Sequence, residues 1–231
     1  MFILIEIKNI CHKFGELSII DNINFFIKDQ EIVAILGPSG CGKSTLLRIL
    51  SGLEDSTSGT ITGIKGKIAF TFQDDRLLAW RNVWDNIKVV KDKENKEKIR
   101  TLIKDVGLEG FESYKPAQLS GGMKKRLGVA RTFYYEGDLI LMDEPFSGLD
   151  YYMRQDMLEM LLRVWNKNRQ SILFVTHEID EALKIADRIL ILSKRPTSIK
   201  KEFQLPDRSL RHEKRELINN IREEILALTM D

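Results

Sequence analysis

The residues best suited to chemistry form one short, glycine-rich loop that fits the pattern G-x-x-x-x-G-K-[ST]. The loop consists of Gly37, Pro38, Ser39, Gly40, Cys41, Gly42, Lys43, Ser44 and Thr45. An apolar run at 32–36 predicts a buried strand before it, and residues 46–50 predict a helix after it. Backbone N–H groups of such a loop surround a phosphate chain, Lys43 would reach the β and γ phosphates, and Ser44 would bind Mg²⁺. The strand and helix argue against the alternative, a glycine turn that matches by chance.

Two adjacent acids, Asp143 and Glu144, follow an apolar run at 139–142 that predicts a central strand covered on both faces. Because neighbouring side chains at a strand end point in different directions, the two carboxylates can serve different purposes. Asp143 would order Mg²⁺ through a water molecule, and Glu144 would activate or position an attacking water. The alternative is an acidic surface pair, which the nearby phosphate-binding pattern disfavours.

Two further polar residues each follow an apolar strand. Gln73 comes directly after residues 68–72, and His177 comes directly after residues 171–176. Open α/β sheets bind ligands at the carboxyl ends of their strands, so the glutamine amide could touch Mg²⁺ and a water, and the histidine could hydrogen-bond a γ-phosphate. Taken alone, Gln73 fits a polar loop residue, and a lone histidine is usually structural.

Two weaker signals accompany these. Ser120, followed by Gly121 and Gly122, predicts a helix N-terminus whose bare N–H groups could bind an anion, although many helices begin this way. Phe14 could stack on an adenine ring from the N-terminal strands, but its spacing alone favours a phenylalanine of the core or of a turn.

Length and composition limit the class of protein. The 231 residues carry a net charge of +2 and two cysteines. This suits one compact domain in a reducing compartment, and the balanced charge gives no reason to expect a nucleic-acid partner. No apolar stretch approaches the ~18 residues of a membrane span, so we expect a soluble protein whose link to a membrane comes through a partner. Residues 1–10 predict a strand rather than a leader peptide.

The pattern of apolar, charged and turn residues also divides the chain into segments. Residues 3–36 predict a β lobe leading into the first core strand, with turns at Gly15, at 21–22 and at 29–30. Residues 74–118 are mixed and highly charged, and they predict a small helical lobe inserted in an α/β core. Within it, Trp80 and Trp84 either pack the lobe or form a docking surface. Residues 208–228 predict a C-terminal helix.

The order of these motifs resembles that of the ABC-transporter ATPase family across nearly the whole chain. The resemblance implies an α/β fold: a P-loop NTPase core, with a mostly parallel sheet flanked by helices, an antiparallel β lobe and an inserted helical subdomain. It places the β lobe and RecA-like core at about 1–73 and 135–231, and the helical subdomain with the signature helix at about 74–134. The whole chain, 1–231, is then a single ABC ATPase domain.

The resemblance also implies site roles. Phe14 matches the adenine-stacking A-loop aromatic, Gln73 the Q-loop, residues 119–123 the signature, Asp150 the D-loop and His177 the switch histidine. Asp143 and Glu144 match the Walker B pair. The cofactors implied are ATP and Mg²⁺. The family forms a head-to-tail homodimer, in which the Ser120-Gly121-Gly122 helix of each copy faces the ATP held by the other copy's P-loop.

Within the family, the segment 73–83 looks like the nitrate, sulfonate and taurine importer branch. This implies transmembrane permease subunits, an indirect link to a solute-binding protein, a peripheral location on the cytoplasmic side of the membrane, and Trp80 and Arg81 as candidate permease contacts. The alternatives are a soluble ABC ATPase acting on DNA or ribosomes and a degenerate regulatory module. One P-loop without a long coiled-coil insertion disfavours the first. The second is disfavoured because the chain retains Lys43, Asp143, Glu144 and His177.

Overall fold

The computed structural model describes residues 3–64 and 66–230. Met1 and Phe2, the start of the predicted N-terminal strand, lie outside the described residues. The described strands are β1 Ile3–Phe14, β2 Leu17–Lys28, β3 Ile32–Leu36, β4 Ser58–Thr62, β5 Ile68–Thr71, β6 Leu139–Asp143, β7 Ser171–Val175, β8 Arg188–Leu192 and β9 Ile199–Gln204. The described α-helices are α1 Lys43–Leu50, α2 Val83–Lys88, α3 Lys96–Asp105, α4 Gly121–Tyr135, α5 Tyr151–Asn168, α6 Ile179–Ile185 and α7 Arg215–Met230.

A six-stranded sheet forms the centre, in the order β5-β6-β7-β3-β8-β9. All neighbours pair in parallel except β8 and β9, which are antiparallel. Every residue of β3, β7 and β8 is buried, as expected of strands covered on both faces. The predicted mostly parallel core is therefore confirmed, with β6 and β3 placed so that their carboxyl ends share one edge.

A second sheet, of three antiparallel strands in the order β2-β1-β4, forms the β lobe. The predicted turn at 21–22 is wrong, because β2 continues through it. Asn22 instead adopts a φ of 50° at a bulge, where two residues of β2 oppose one of β1 between the Ile10–Ile23 and His12–Ile20 pairs. Asparagine tolerates this left-handed conformation, so the Asp-Asn pair bends the strand without ending it.

The segment between β5 and β6 is helical, as predicted. Its helices bury Val83 of α2, Ile103 of α3 and Leu127 of α4 in the same hydrophobic cluster as Ile140 of β6. The signature helix α4 also buries Phe133 in this cluster, so it connects the helical lobe firmly to the core sheet.

None of the helices in the described part of the chain is both long enough and apolar enough to cross a membrane.

Candidate active site

The glycine-rich loop lies between the end of β3 and the start of α1, as the sequence predicts. Gly40 has a φ of 72° and Gly42 a φ of 119°, a region that side chains with a Cβ rarely adopt. A Cβ on Gly42 would also lie 2.9 Å from Cγ2 of Ile19 in β2. The loop therefore requires glycine at 42 both for its backbone conformation and for its close packing on the β lobe.

Lys43 is buried within the loop that it follows. Its Nζ donates to the carbonyl oxygens of Gly37, at 2.8 Å, and of Pro38, at 2.9 Å. These carbonyls hold the ammonium group in place over the loop before any ligand arrives. A phosphate bound there would meet a cation whose position is already fixed, so little reorganisation is needed.

Ser44 and Asp143 meet across the gap between the loop and the end of β6. The Ser44 hydroxyl donates to Asp143 Oδ1 at 3.0 Å. Burial raises the pKa of the Asp143 carboxyl above its usual value, with a further rise from Glu144, while the Ser44 hydrogen bond and Lys43 oppose the shift. A hydroxyl beside a carboxylate, with an amide at Gln73 nearby, supplies the oxygen ligands that Mg²⁺ prefers. These residues therefore fit the predicted metal.

The carboxylate of Glu144 lies between the two other predicted catalytic residues. Nε2 of Gln73 donates to Glu144 Oε2 at 3.4 Å, and Nδ1 of His177 lies 3.5 Å from Oε1. The backbone of Glu144 has a φ of 44°, and its N–H donates to Val175 O at 3.1 Å. Conformations of this kind are concentrated at functional sites, where the surrounding structure maintains them. The fold thus brings Gln73, Glu144 and His177 together from three separate strands.

Glu144, Lys43 and Ser44 border a cavity of about 290 Å³. It is lined by Ser39, Gly40, Gly42, Lys43, Ser44, Thr45, Glu144 and Arg195. All but one come from motifs that the sequence predicts. Arg195 follows β8 and was missed, because nothing in the local sequence Lys194-Arg195-Pro196 indicates that it lies beside a loop about 150 positions earlier.

Phe14, Ser120 and Asp150, which the sequence predicts to contact the nucleotide, do not line this cavity. Phe14 is the last residue of β1 and is 53% exposed. Its ring packs edge-on against the ring of His12, with 4.6 Å between the ring centroids. Ser120 caps α4 through Met123 N, and Asp150 caps α5. Ser120 and Asp150 do not line the cavity that the P-loop forms in the same chain, so their predicted nucleotide contacts stay predictions.

The two capped helices nevertheless touch each other. A Cβ on Gly122 of α4 would lie 2.4 Å from Cε of Met153 in α5. Because this methyl group is the flexible end of its side chain, the contact shows that the first turn of α5 lies against the start of α4, and it does not by itself require glycine at 122. Gly121 and Ser120 remain exposed at that helix N-terminus, where unpaired N–H groups can receive an anion from outside the chain.

Comparison with known proteins decides the family. The model of the ABC transporter family matches residues 20–147, which include the P-loop, Gln73, Ser120 and both acids. The chain belongs to the ABC transporter family. Its ABC relatives include the aliphatic sulfonates import ATP-binding protein SsuB 2 of Pseudomonas syringae pv. tomato, 39% identical over 215 residues and 93% of each chain. The SsuB protein of Bacillus cereus is 37% identical over 222 residues, 92% of this chain and 88% of that one.

Solved ABC structures share the fold. The dimeric post-hydrolysis structure of the ATP-binding cassette MJ0796 with ADP and Pi has a TM-score of 0.75 and 28% identity, covering 87% of this chain and 99% of that one. The structure of cbiO1 from Clostridium perfringens has a TM-score of 0.80 at 21% identity, covering 96% and 100%. As a member of the ABC family, the chain binds ATP and is an ATPase. The predicted family, fold and activity are confirmed.

Proposed function

We propose that this ABC ATPase powers an importer of an aliphatic sulfonate or a similar small solute, such as nitrate or taurine. The names of its relatives support the transport direction and the solute class. The single observation that supports catalysis by this chain is the position of Glu144, held between Gln73 and His177 at the edge of the P-loop cavity. An intact set of these groups argues against a module that has lost its chemistry.

Each residue then has a defined role in hydrolysis, and Gln73 has two. Lys43 and the loop N–H groups bind the phosphates, and Glu144 accepts a proton from the attacking water. Gln73 and His177 orient the Glu144 carboxylate and that water. Bound Mg²⁺, held by Ser44, Gln73 and, through water, Asp143, would neutralise phosphate charge. Positioning and neutralisation supply most of the rate enhancement in phosphoryl transfer.

The proposed active unit is a homodimer with ATP between the two copies. Within one chain the cavity lacks the exposed N-terminus of α4, and a second copy placed head to tail would present its Ser120, Gly121 and Gly122 there. Phe14 would hold the adenine, and Asp150 would face the partner copy. The similarity to a dimeric cassette supports this arrangement. Bound ATP then shifts the population toward the closed dimer, and hydrolysis reverses the shift.

Permease subunits are the proposed membrane partners, with a solute-binding protein acting indirectly and the ATPase peripheral on the cytoplasmic side. Trp80 is 71% exposed on the helical lobe and stands beside Arg81. Aromatic and arginine side chains dominate the energetics of many protein interfaces. An exposed tryptophan on a lobe next to the Gln73 segment therefore supports this segment as the permease contact.

Replacement of Glu144 by Gln tests the proposal. The variant keeps the shape of the side chain but cannot accept a proton, so we expect turnover to fall by about 10²–10⁴-fold while ATP still binds. Because the nucleotide persists, the variant should accumulate as a dimer with Mg²⁺ and ATP. Steady-state phosphate release and light scattering after gel filtration measure the two effects.

The matched control is Glu216→Gln, on the exposed surface of α7, which should behave as the wild type in both measurements. Wild-type turnover by Glu144→Gln would reject Glu144 as the residue that activates water. A variant that binds ATP but stays monomeric at every protein concentration would reject the dimer.

A further inference from the structure

The turn between β8 and β9, residues 193–198, is attached to the P-loop. Thr197 is fully buried, and its hydroxyl donates to the carbonyl oxygen of Cys41 within the loop. The Thr197 backbone also bonds to β2, donating to Ile19 O at 2.8 Å and accepting from Asp21 N at 2.9 Å. The turn therefore has a fixed position relative to the phosphate-binding N–H groups.

The turn is also braced internally. Ser193 N donates to Ser198 O at 2.9 Å, and Ser198 N donates to the Ser193 hydroxyl oxygen at 2.9 Å. At the end of β8, a Cβ on Gly37 would lie 3.0 Å from Cβ of Leu192, so the strand and the start of the loop are in direct contact. The residues at the tip of the turn are consequently held beside the loop.

Arg195 is at that tip. Its Nη2 lies 3.7 Å from the position that a Cβ on Gly40 would take. The side chain borders the 290 Å³ cavity that contains Lys43 and also a second cavity, of about 370 Å³, on the outer side of residues 38–41. None of the ion pairs formed within residues 3–64 and 66–230 includes Arg195. The guanidinium is therefore a positive charge outside any ion pair of the described residues, at the edge of the P-loop cavity.

The thiol of Cys41 is affected by the positive charges of both Lys43 and Arg195. Burial raises the pKa of the Cys41 thiol, and the positive charges of Lys43 and Arg195 both oppose that rise. The charge of Arg195 thus acts on the middle of the P-loop, together with that of Lys43.

We propose that Arg195 is a second phosphate-binding cation of this ATPase, whose guanidinium contacts the polyphosphate of the bound nucleotide from the β8–β9 turn. The inference rests on the proposed function and adds a binding residue to it. A guanidinium has a planar fork of donors that matches two phosphate oxygens, whereas the Lys43 ammonium acts as a point charge. The two cations approach the phosphates from different elements.

The contribution belongs to binding rather than to the chemical step. Arg195 lies on the phosphate-binding loop side, while the groups assigned to the attacking water are Glu144, Gln73 and His177. An interaction made equally in the bound state and in the transition state lowers KM without raising kcat. We therefore expect loss of Arg195 to weaken nucleotide binding and to leave the rate at saturating ATP close to that of the wild type.

The test compares Arg195→Ala, Arg195→Gln and Arg195→Lys in the full chain, with Arg215→Ala on exposed α7 as the matched charge control. Calorimetry with Mg-ADP measures Kd at low and high salt, and steady-state hydrolysis separates KM from kcat. We expect about tenfold weaker binding for the Ala and Gln variants at low salt, an intermediate value for Lys, and no change for Arg215→Ala. Added salt should reduce the difference, because the side chain is exposed.

Binding within twofold of the wild type in both neutral variants would overturn the proposal, as would an equal loss in Arg215→Ala. A loss confined to kcat would also overturn it. Thermal unfolding without nucleotide checks that the variants fold, and the Lys variant retains the charge if a neutral variant is unstable. Failure of the wild-type chain to bind Mg-ADP would contradict the proposed function instead, so the two failures are distinguishable.

Discussion

Glu181 in α6 places a buried carboxyl close to His177, the proposed catalytic histidine. The Thr176 hydroxyl donates to this carboxyl, and Nε of Arg154 lies 3.5 Å from its Oε1. Burial raises the pKa of Glu181 to about 7, against the lowering effects of Thr176 and Arg154, and Glu178 adds to the rise. A residue close to His177 therefore changes charge near neutral pH.

This titration predicts how stability depends on pH. Because the folded pKa lies above the unfolded value of 4.5, the folded state holds the proton more tightly, and the free energy of unfolding falls as pH rises from about 4.5 to about 7. A shift of this size corresponds to about 3 kcal/mol. Glu181→Gln cannot ionise, so its free energy of unfolding should fall less over this window. Urea denaturation at several pH values measures the slopes.

The control for that experiment is Glu216→Gln, which should keep the wild-type slope because its side chain is exposed. If Glu181→Gln and the wild type had parallel profiles between pH 4.5 and 8, burial of Glu181 would not be the source of the pH dependence.

At the same scale, local patterns predicted the residues that act within one loop or at one strand end. The P-loop and the acids Asp143 and Glu144 were found because their spacing along the chain is itself the signal. Arg195 and Arg154 were not, because each lies beside a loop that only the tertiary fold brings near it. A lone arginine carries no sequence signal for such a contact.

Among the elements, the loop before α2 depends on one side chain. Asn86 is fully buried, and its Oδ1 accepts from Leu78 N at 2.8 Å. Its Nδ2 donates to the carbonyl oxygens of Leu78, Arg81 and Asn82. One amide thus fixes the backbone on both sides of Trp80, the proposed permease contact.

We expect Asn86→Ala to loosen this loop. The change removes the partner of Leu78 N and of Arg81 O, at about 1–3 kcal/mol for each one that stays buried, whereas the carbonyl oxygens of Leu78 and Asn82 still accept from backbone N–H groups. Local opening at 78–82 should then become more frequent, with amide exchange faster by about tenfold for every 1.4 kcal/mol lost. Hydrogen exchange followed by mass spectrometry measures this, with Asn219→Ala in α7 as the control. Unchanged exchange at 78–82 would show that other contacts hold the loop.

Prediction of strands from the sequence failed where charged residues interrupted the alternation of apolar and polar residues. The edge strand β9 was not predicted, because Lys200, Lys201 and Glu202 interrupt the alternation expected of a half-buried strand. Charged residues are common on edge strands, where they discourage pairing with another chain. In β2, the dipeptide Asp21-Asn22 is typical of a turn and also of a bulge, so the sequence alone does not distinguish the two.

Across the whole molecule, one buried arginine joins the two sheets. Arg188 begins β8, and its guanidinium bonds to both carboxylate oxygens of Glu31, at 3.0 and 2.9 Å. It also donates to Phe26 O in β2 and to Glu202 in β9. The β lobe and the core sheet, on which the P-loop depends for its position, therefore share a charged contact that excludes water.

Removing Arg188 alone should lower the free energy of unfolding more than removing the charges of both Arg188 and Glu31. Arg188→Met leaves the Glu31 carboxylate buried without a cation, and we expect a loss of about 3–5 kcal/mol in the free energy of unfolding. In Arg188→Met/Glu31→Gln no charge is stranded, and the glutamine oxygen can still accept from Lys28 N, as Glu31 does, so stability should partly recover. Urea denaturation of both variants and of Glu31→Gln alone gives the coupling energy. A double variant no more stable than Arg188→Met would mean that packing of the arginine, rather than charge pairing, joins the sheets.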